Sequence, residues 1–200
     1  IYGQGEQGWT DQSGRLGVDA VACSSVVAED LDNDGDVDLI AACRDGDKRT
    51  QIVLVESRDG ELVAVTGFGA DATEHGLVDS VSIGDFDRDG FADLLITNGR
   101  SLGHTPDSHG RLRLYRNLGN DNHWLQVSLV GTRSPRDAFG SRVFLRSGPT
   151  TQLGYADGGV RLTAQDDKVL QFGLGQAESV DELLVEFAGV HAQVMPTGQL

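Results

Sequence analysis

The chain is predicted to be all-β, and three observations carry that prediction. β-Branched and aliphatic residues come in short runs separated by Gly and Asp, the rhythm of strands and tight turns. No long window shows a helical period. Glycine supplies 27 of the 200 residues, above average usage, as many sharp reversals require.

The first patterned segment, VVAEDLDNDGDVDLI at 26–40, reads as two strands around an acidic loop. Slid along by 55 residues it superposes on VSIGDFDRDGFADLL at 81–95. Asp30, Asp32, Asp34, Gly35, Asp38 and Leu39 then coincide with Asp85, Asp87, Asp89, Gly90, Asp93 and Leu94. Such an internal repeat suggests a propeller-like or solenoid array. Between the copies, QIVLVESRDGELVAVTG reads as a hairpin, with apolar runs at 51–56 and 61–66 about the turn Asp59-Gly60. Further strands are expected in RLRLY (111–115), HWLQVSLV (123–130), SRVFLRS (141–147), KVLQFGL (168–174) and ELLVEF (182–187). The segment RNLGNDN (116–122) reads as a seam, dividing the chain into two repeats over 1–116 and a second β domain over 117–200.

Both loops fit D-x-D-x-D-G-x-x-D. A chain folded around a hard cation aims carboxylates at it from positions 1, 3, 5 and 9, and the glycine at position 6 permits the reversal. Position 7 is Asp36 in one loop and Phe91 in the other, so the ligand they can share there is a backbone carbonyl. Four carboxylates, one carbonyl and water suit the six to eight oxygens of Ca²⁺ better than the tighter octahedron of Mg²⁺. An EF-hand needs Glu at position 12 and helical flanks. Here that position is Ala41 and Ile96, and the flanks are strand-like. An acidic turn without metal is disfavoured by the crowding of like charges in two matching loops.

Composition points the same way. Thirty-one acidic residues against sixteen basic ones give a formal charge of −15, which argues against nucleic acid and anionic lipid as partners. The longest apolar runs fall far short of the roughly 20 residues of a spanning helix. The sequence opens on Ile1 with no basic segment leading into an apolar one, so a signal peptide is expected to have been removed or to lie outside it. Cys23 and Cys43 flank the first loop, and a hairpin register pairing Val26 with Ile40 sets them opposite each other. A cross-strand disulfide and two buried thiols both fit that spacing.

Other motifs carry less. GQGEQG at Gly3 to Gly8 satisfies G-x-G-x-x-G but follows no strand and opens no helix. His104 and His109 sit in a polar loop without an evident third metal ligand, and Trp9 and Trp124 read as core aromatics before sugar platforms. No nucleophile elbow, zinc motif or Cys–His pair stands out, so no enzyme activity and no catalytic residue are expected.

With their flanking strands, the two loops resemble the FG-GAP/VCBS repeats of integrin-type and bacterial β-propellers. NLGNDNHWLQVSLVGTRSPRDAFGSRV (117–143) and QFGLGQAESVDELLVEF (171–187) resemble the ASPIC/UnbV domain that follows such repeats. The resemblance implies blades, about two and therefore an incomplete propeller, followed by a small β domain. It also implies Ca²⁺ ligands at Asp30, Asp32, Asp34, Asp36 and Asp38, and at Asp85, Asp87, Asp89, Phe91 and Asp93, hence two Ca²⁺ ions. The exported character of these families favours the Cys23–Cys43 bridge and an extracellular or cell-surface location. The expected function is a calcium-binding structural or adhesion module of a larger or self-assembling, even filamentous, surface or matrix protein. Its partners would be further blades, other copies of itself, or glycans and matrix. A calcium-dependent, lectin-like carbohydrate-binding protein is the alternative.

Overall fold

A computed structural model describes residues 22–44, 50–58, 60–70, 78–98, 112–159, 164–189 and 192–195. The fold is all-β: among the described residues thirteen strands form antiparallel sheets that do not close, and there is no helix. Strands β1 (Ala22–Glu29), β2 (Asp38–Arg44), β3 (Thr50–Arg58) and β4 (Glu61–Val65) follow one another as a four-stranded meander. The second copy of the repeat builds a smaller meander from β5 (Val78–Gly84), β6 (Asp93–Asn98) and β7 (Arg113–Tyr115).

Alternation along the strands decides which faces meet. Val27, Ile40, Ala42, Ile52 and Leu54 of the first meander are buried with Val81, Ile83 and Ile96 of the second, so the two sheets share one core. The first sheet is apolar on its other face too, where Val53, Val55 and Cys43 gather Leu39, Ala41 and Leu62. Each acidic loop therefore leaves a two-strand hairpin anchored in packed aliphatic side chains.

Beyond the repeats, β8 (His123–Val127) pairs with β11 (Leu170–Gly175) as an isolated ribbon. A further sheet runs β10 (Thr150–Tyr155), β9 (Arg142–Ser147), β12 (Glu182–Glu186) and β13 (Gln193–Met195) in that order. Its core of Val143, Leu145, Leu183 and Val185 also takes in Phe172 of the ribbon. The strands expected at 123–130 and 111–115 are shorter than anticipated, ending at Val127 in the first case and beginning at Arg113 in the second. Strands β10 and β13 were not anticipated. Both are sheet edges whose sequences, TTQLGY and QVM, carry little apolar pattern.

Cys23 and Cys43 are joined by a disulfide across β1 and β2. The register differs from the expected one, since Val27 rather than Val26 faces Ile40. A bulge between Cys23 and Ser25 absorbs the extra residue and returns the two cysteines to opposite positions. Gly3 to Gly8, Trp9, Asp59, His104 and His109 lie outside the described residues.

Candidate metal centre

Each loop is shaped by two residues in left-handed backbone conformations. Asn33 and Arg88, at position 4, have φ of 59° and 62°; Gly35 and Gly90, at position 6, have φ of 96° and 91°. Asparagine tolerates that region and glycine favours it, so the sequence pre-shapes the first turn at both positions and the second at Gly90, while Arg88 is held there against its own preference. The carboxylate at position 1 then caps the turn from inside. Asp30 accepts the N–H groups of Asp34 (3.1 Å) and Gly35 (2.9 Å), and Asp85 those of Asp89 (3.1 Å) and Gly90 (3.0 Å).

Position 9 closes each loop onto the neighbouring strand. Asp38 accepts the N–H groups of Leu31 (3.0 Å) and Ser57 (2.9 Å). Asp93 accepts those of Phe86 (3.0 Å) and Asn117 (2.7 Å). Both carboxylates are buried although they begin strands, and these backbone donors stabilise them there.

Carboxylate oxygens of Asp30, Asp32 and Asp38 lie within 4.8 Å of one another in the first loop, as do those of Asp85, Asp87 and Asp89 in the second. Either group could hold a metal ion. Asp34, Asp36, Phe91 and Asp93, also expected as ligands, are not among these two groups. Asp34 is exposed and takes the N–H of Asp36 at 2.8 Å. The Phe91 ring is buried, and its N–H goes to Asp89 at 3.1 Å.

The electrostatics of the two loops differ. In the first, burial pushes the Asp30 carboxyl up from 3.8 to about 7; the Gly35 N–H opposes the shift, and Asp34, Asp32 and Asp38 add to it. Burial likewise raises Asp38 to about 6 against the N–H groups of Ser57 and Leu31. Asp32 is raised by burial and then by Asp34, with Glu56 adding to the repulsion. In the second loop burial also pushes Asp89 up, but the Arg116 guanidinium and the Phe91 N–H outweigh it and hold the carboxyl below 3.8. Arg116 pairs with both Asp87 and Asp89, the latter at 2.9 Å. A largely buried, all-oxygen, anionic set is what a hard divalent cation fits, and the first loop is such a set, with the charge of Arg58 acting on Asp32 only at a distance.

Several residues that sequence reasoning did not single out hold the loops together. Asn33 donates from Nδ2 to the Gly90 carbonyl at 2.9 Å, joining one loop to the other. Gln171 donates to Asn33 Oδ1 (3.0 Å) and to the same Gly90 carbonyl (2.6 Å), while Gln126 donates to Asp85 (2.8 Å). Asn117 donates to the carbonyls of Leu31 and Ala92, and Asn120 and Asn122 both reach that of Asp32. Gln126 faces Gln171 and Trp124 faces Gly173 across the β8–β11 ribbon, so one face of it lies over both loops. A Cβ at Gly90 would fall 1.8 Å from the Trp124 ring, and one at Gly173 would fall 2.0 Å from an Asp30 oxygen. The alternation in HWLQV and LQFGL marks one polar face on the ribbon but carries no signal for what that face covers.

Residues 30–96 match the FG-GAP-like repeat, and residues 131–197 match the ASPIC and UnbV family. The chain thus matches an FG-GAP-like repeat and, after it, the ASPIC and UnbV family. The repeat match takes in both acidic loops, and the ASPIC/UnbV match takes in β11, the strand that lies on Asp30 and Asn33. The chain is also similar to cartilage acidic protein 1 of Mus musculus and of Homo sapiens, at 29% identity over 78% of its length in each case. It covers 24% and 23% of those proteins, about a quarter of their length.

Proposed function

We propose that the chain is a calcium-binding, non-catalytic module of an extracellular surface or matrix protein. In this reading the ions stiffen the FG-GAP-like repeat and its junction with the ASPIC/UnbV segment. The observation that carries the reading is the first loop, where Asp30, Asp32 and Asp38 converge within 4.8 Å and two of the three are buried. Three converging carboxylates, completed by carbonyl and water oxygens toward roughly six to eight, are the chemistry of Ca²⁺. The Cys23–Cys43 bridge is at home in an oxidising compartment, and similarity to cartilage acidic protein 1 supports the same setting. Among the described residues no helix is long and apolar enough to cross a membrane.

Calcium titration by calorimetry, with melting followed in calcium and in chelator, tests the proposal. Heat of binding and a higher melting temperature with calcium are expected. No uptake, or a melting temperature indifferent to chelator, refutes it. Partners would be further blades or other copies of the chain. The open sheets and the exposed Leu112, Leu114 and Leu118 support this, because unpaired strand edges and apolar side chains invite cover. Light scattering in millimolar calcium and then in chelator would show metal-dependent assembly; a monomer under both conditions argues against self-association.

A further inference from the structure

The two loops match at their aspartates but not at the position beside them. In the first sheet Leu39 pairs with Val55, and the Ser57 N–H closes on Asp38. In the second, Leu94 pairs with Tyr115, and the Asn117 N–H closes on Asp93. Val55 and Tyr115 are thus equivalent, as are Ser57 and Asn117. The residue between them is Glu56 in the first copy and Arg116 in the second. One strand position beside the carboxylates therefore carries opposite charge in the two copies.

The consequence is visible in the contacts. Arg58 is drawn to Glu56 at 2.8 Å, and among the described residues no cationic side chain is hydrogen-bonded or ion-paired to Asp30, Asp32 or Asp38, Arg58 reaching Asp32 only through its field. Arg116 instead pairs with Asp87 and Asp89, two of the three carboxylates that converge in the second loop. Position 7 strengthens the contrast, with Asp36 in the first loop and Phe91 in the second.

We infer that Arg116 is a built-in counter-cation that makes the two metal sites unequal. The first loop is the tight site, and a divalent ion enters the second only by displacing the guanidinium from Asp87 and Asp89. The inference rests on the calcium reading above and assigns each loop its rank. A guanidinium is a fixed charge at any physiological pH, so it competes at every ion concentration. Its exposure keeps the competition moderate: Arg116 is 61% exposed, and ion pairs at such sites are screened by water and salt.

Calorimetric titration with calcium chloride at fixed ionic strength, on the full chain and on Arg116→Gln, Arg116→Glu and Asp32→Asn, tests this. The unsubstituted protein should show two steps. Arg116→Gln should tighten the weaker step by about three- to ten-fold and leave the stronger one unchanged, with Arg116→Glu moving it further. Asp32→Asn should weaken the stronger step alone, which assigns it to the first loop. Circular dichroism of each variant in chelator confirms that the fold is retained. Two equal sites indifferent to Arg116, or a second site weakened by Arg116→Gln, overturn the inference while calcium binding itself stands. Absence of binding in every protein overturns both.

Discussion

Removing calcium should leave a protein that becomes more stable on acidification, opposite to the calcium-loaded form. Asp30 and Asp38 are 6% and 1% exposed, and burial first of all raises them from 3.8 to about 7 and about 6. For a carboxyl raised in the folded state, the native chain holds its proton more tightly than the unfolded one. Stability is then full below about pH 4 and is lost as pH climbs through 6 and 7. Between pH 8 and pH 5 the shift at Asp30 corresponds to about 3 kcal/mol and that at Asp38 to about 1 kcal/mol. In a chain of this size the sum moves the melting temperature by about 10 °C. With calcium present the sign reverses, because protons compete with the ion for the same oxygens. Thermal melts by circular dichroism from pH 8 to pH 5, in chelator and in calcium, should therefore converge toward the acid end. Asp30→Asn should remove most of the slope in chelator. Parallel curves, or a chelated protein that weakens on acidification, would refute the reasoning.

Further outcomes follow from the contacts. Reducing the Cys23–Cys43 bridge, which closes a separation of 20 residues, should cost about 3 kcal/mol in urea unfolding by the chain-entropy estimate. Gly90→Ala should lose more than about 2 kcal/mol, since its Cβ would meet the Trp124 ring at 1.8 Å. At Gly60, where nothing lies within 4 Å, the same change should cost only about 1 kcal/mol. Asn33→Ala deletes the bonds to Gly90 and Gln171 at a buried position and should destabilise by about 2 kcal/mol without abolishing calcium uptake.

The acidic loops were legible because their spacing is dictated by local geometry: Asp30 caps Asp34 and Gly35, four and five residues on. The central strands were legible for a similar reason, since Val27, Ile40 and Ile52 must alternate to reach one core. What surrounds the loops was not. Gln171 meets Asn33 from 138 residues away, and no local pattern distinguishes it from any half-exposed glutamine in a strand. The equivalence of Glu56 and Arg116 was hidden for a different reason. A shift of 55 residues aligns the loops, but the third strand of the second copy pairs five residues later in register relative to them, as the pairing of Leu39 with Val55 and of Leu94 with Tyr115 shows. Sliding at a fixed period sets Glu56 against Arg111, the wrong arginine, and so does not bring Arg116 beside the carboxylates. Edge strands β10 and β13 escaped because an edge needs only backbone pairing on one side.

Two rungs on one face of the β8–β11 ribbon, Trp124 with Gly173 and Gln126 with Gln171, set how the molecule answers tension. A pull that draws the C-terminal sheet away from the repeats reaches the loops through these rungs. There the Gln126–Asp85 bond, the two Gln171 bonds and the ring seated on Gly90 are strained side by side rather than one after another. Contacts loaded together share the force and give way together. The ribbon therefore acts as a shear clasp, and its strength depends on the stiffness of the two turns it grips.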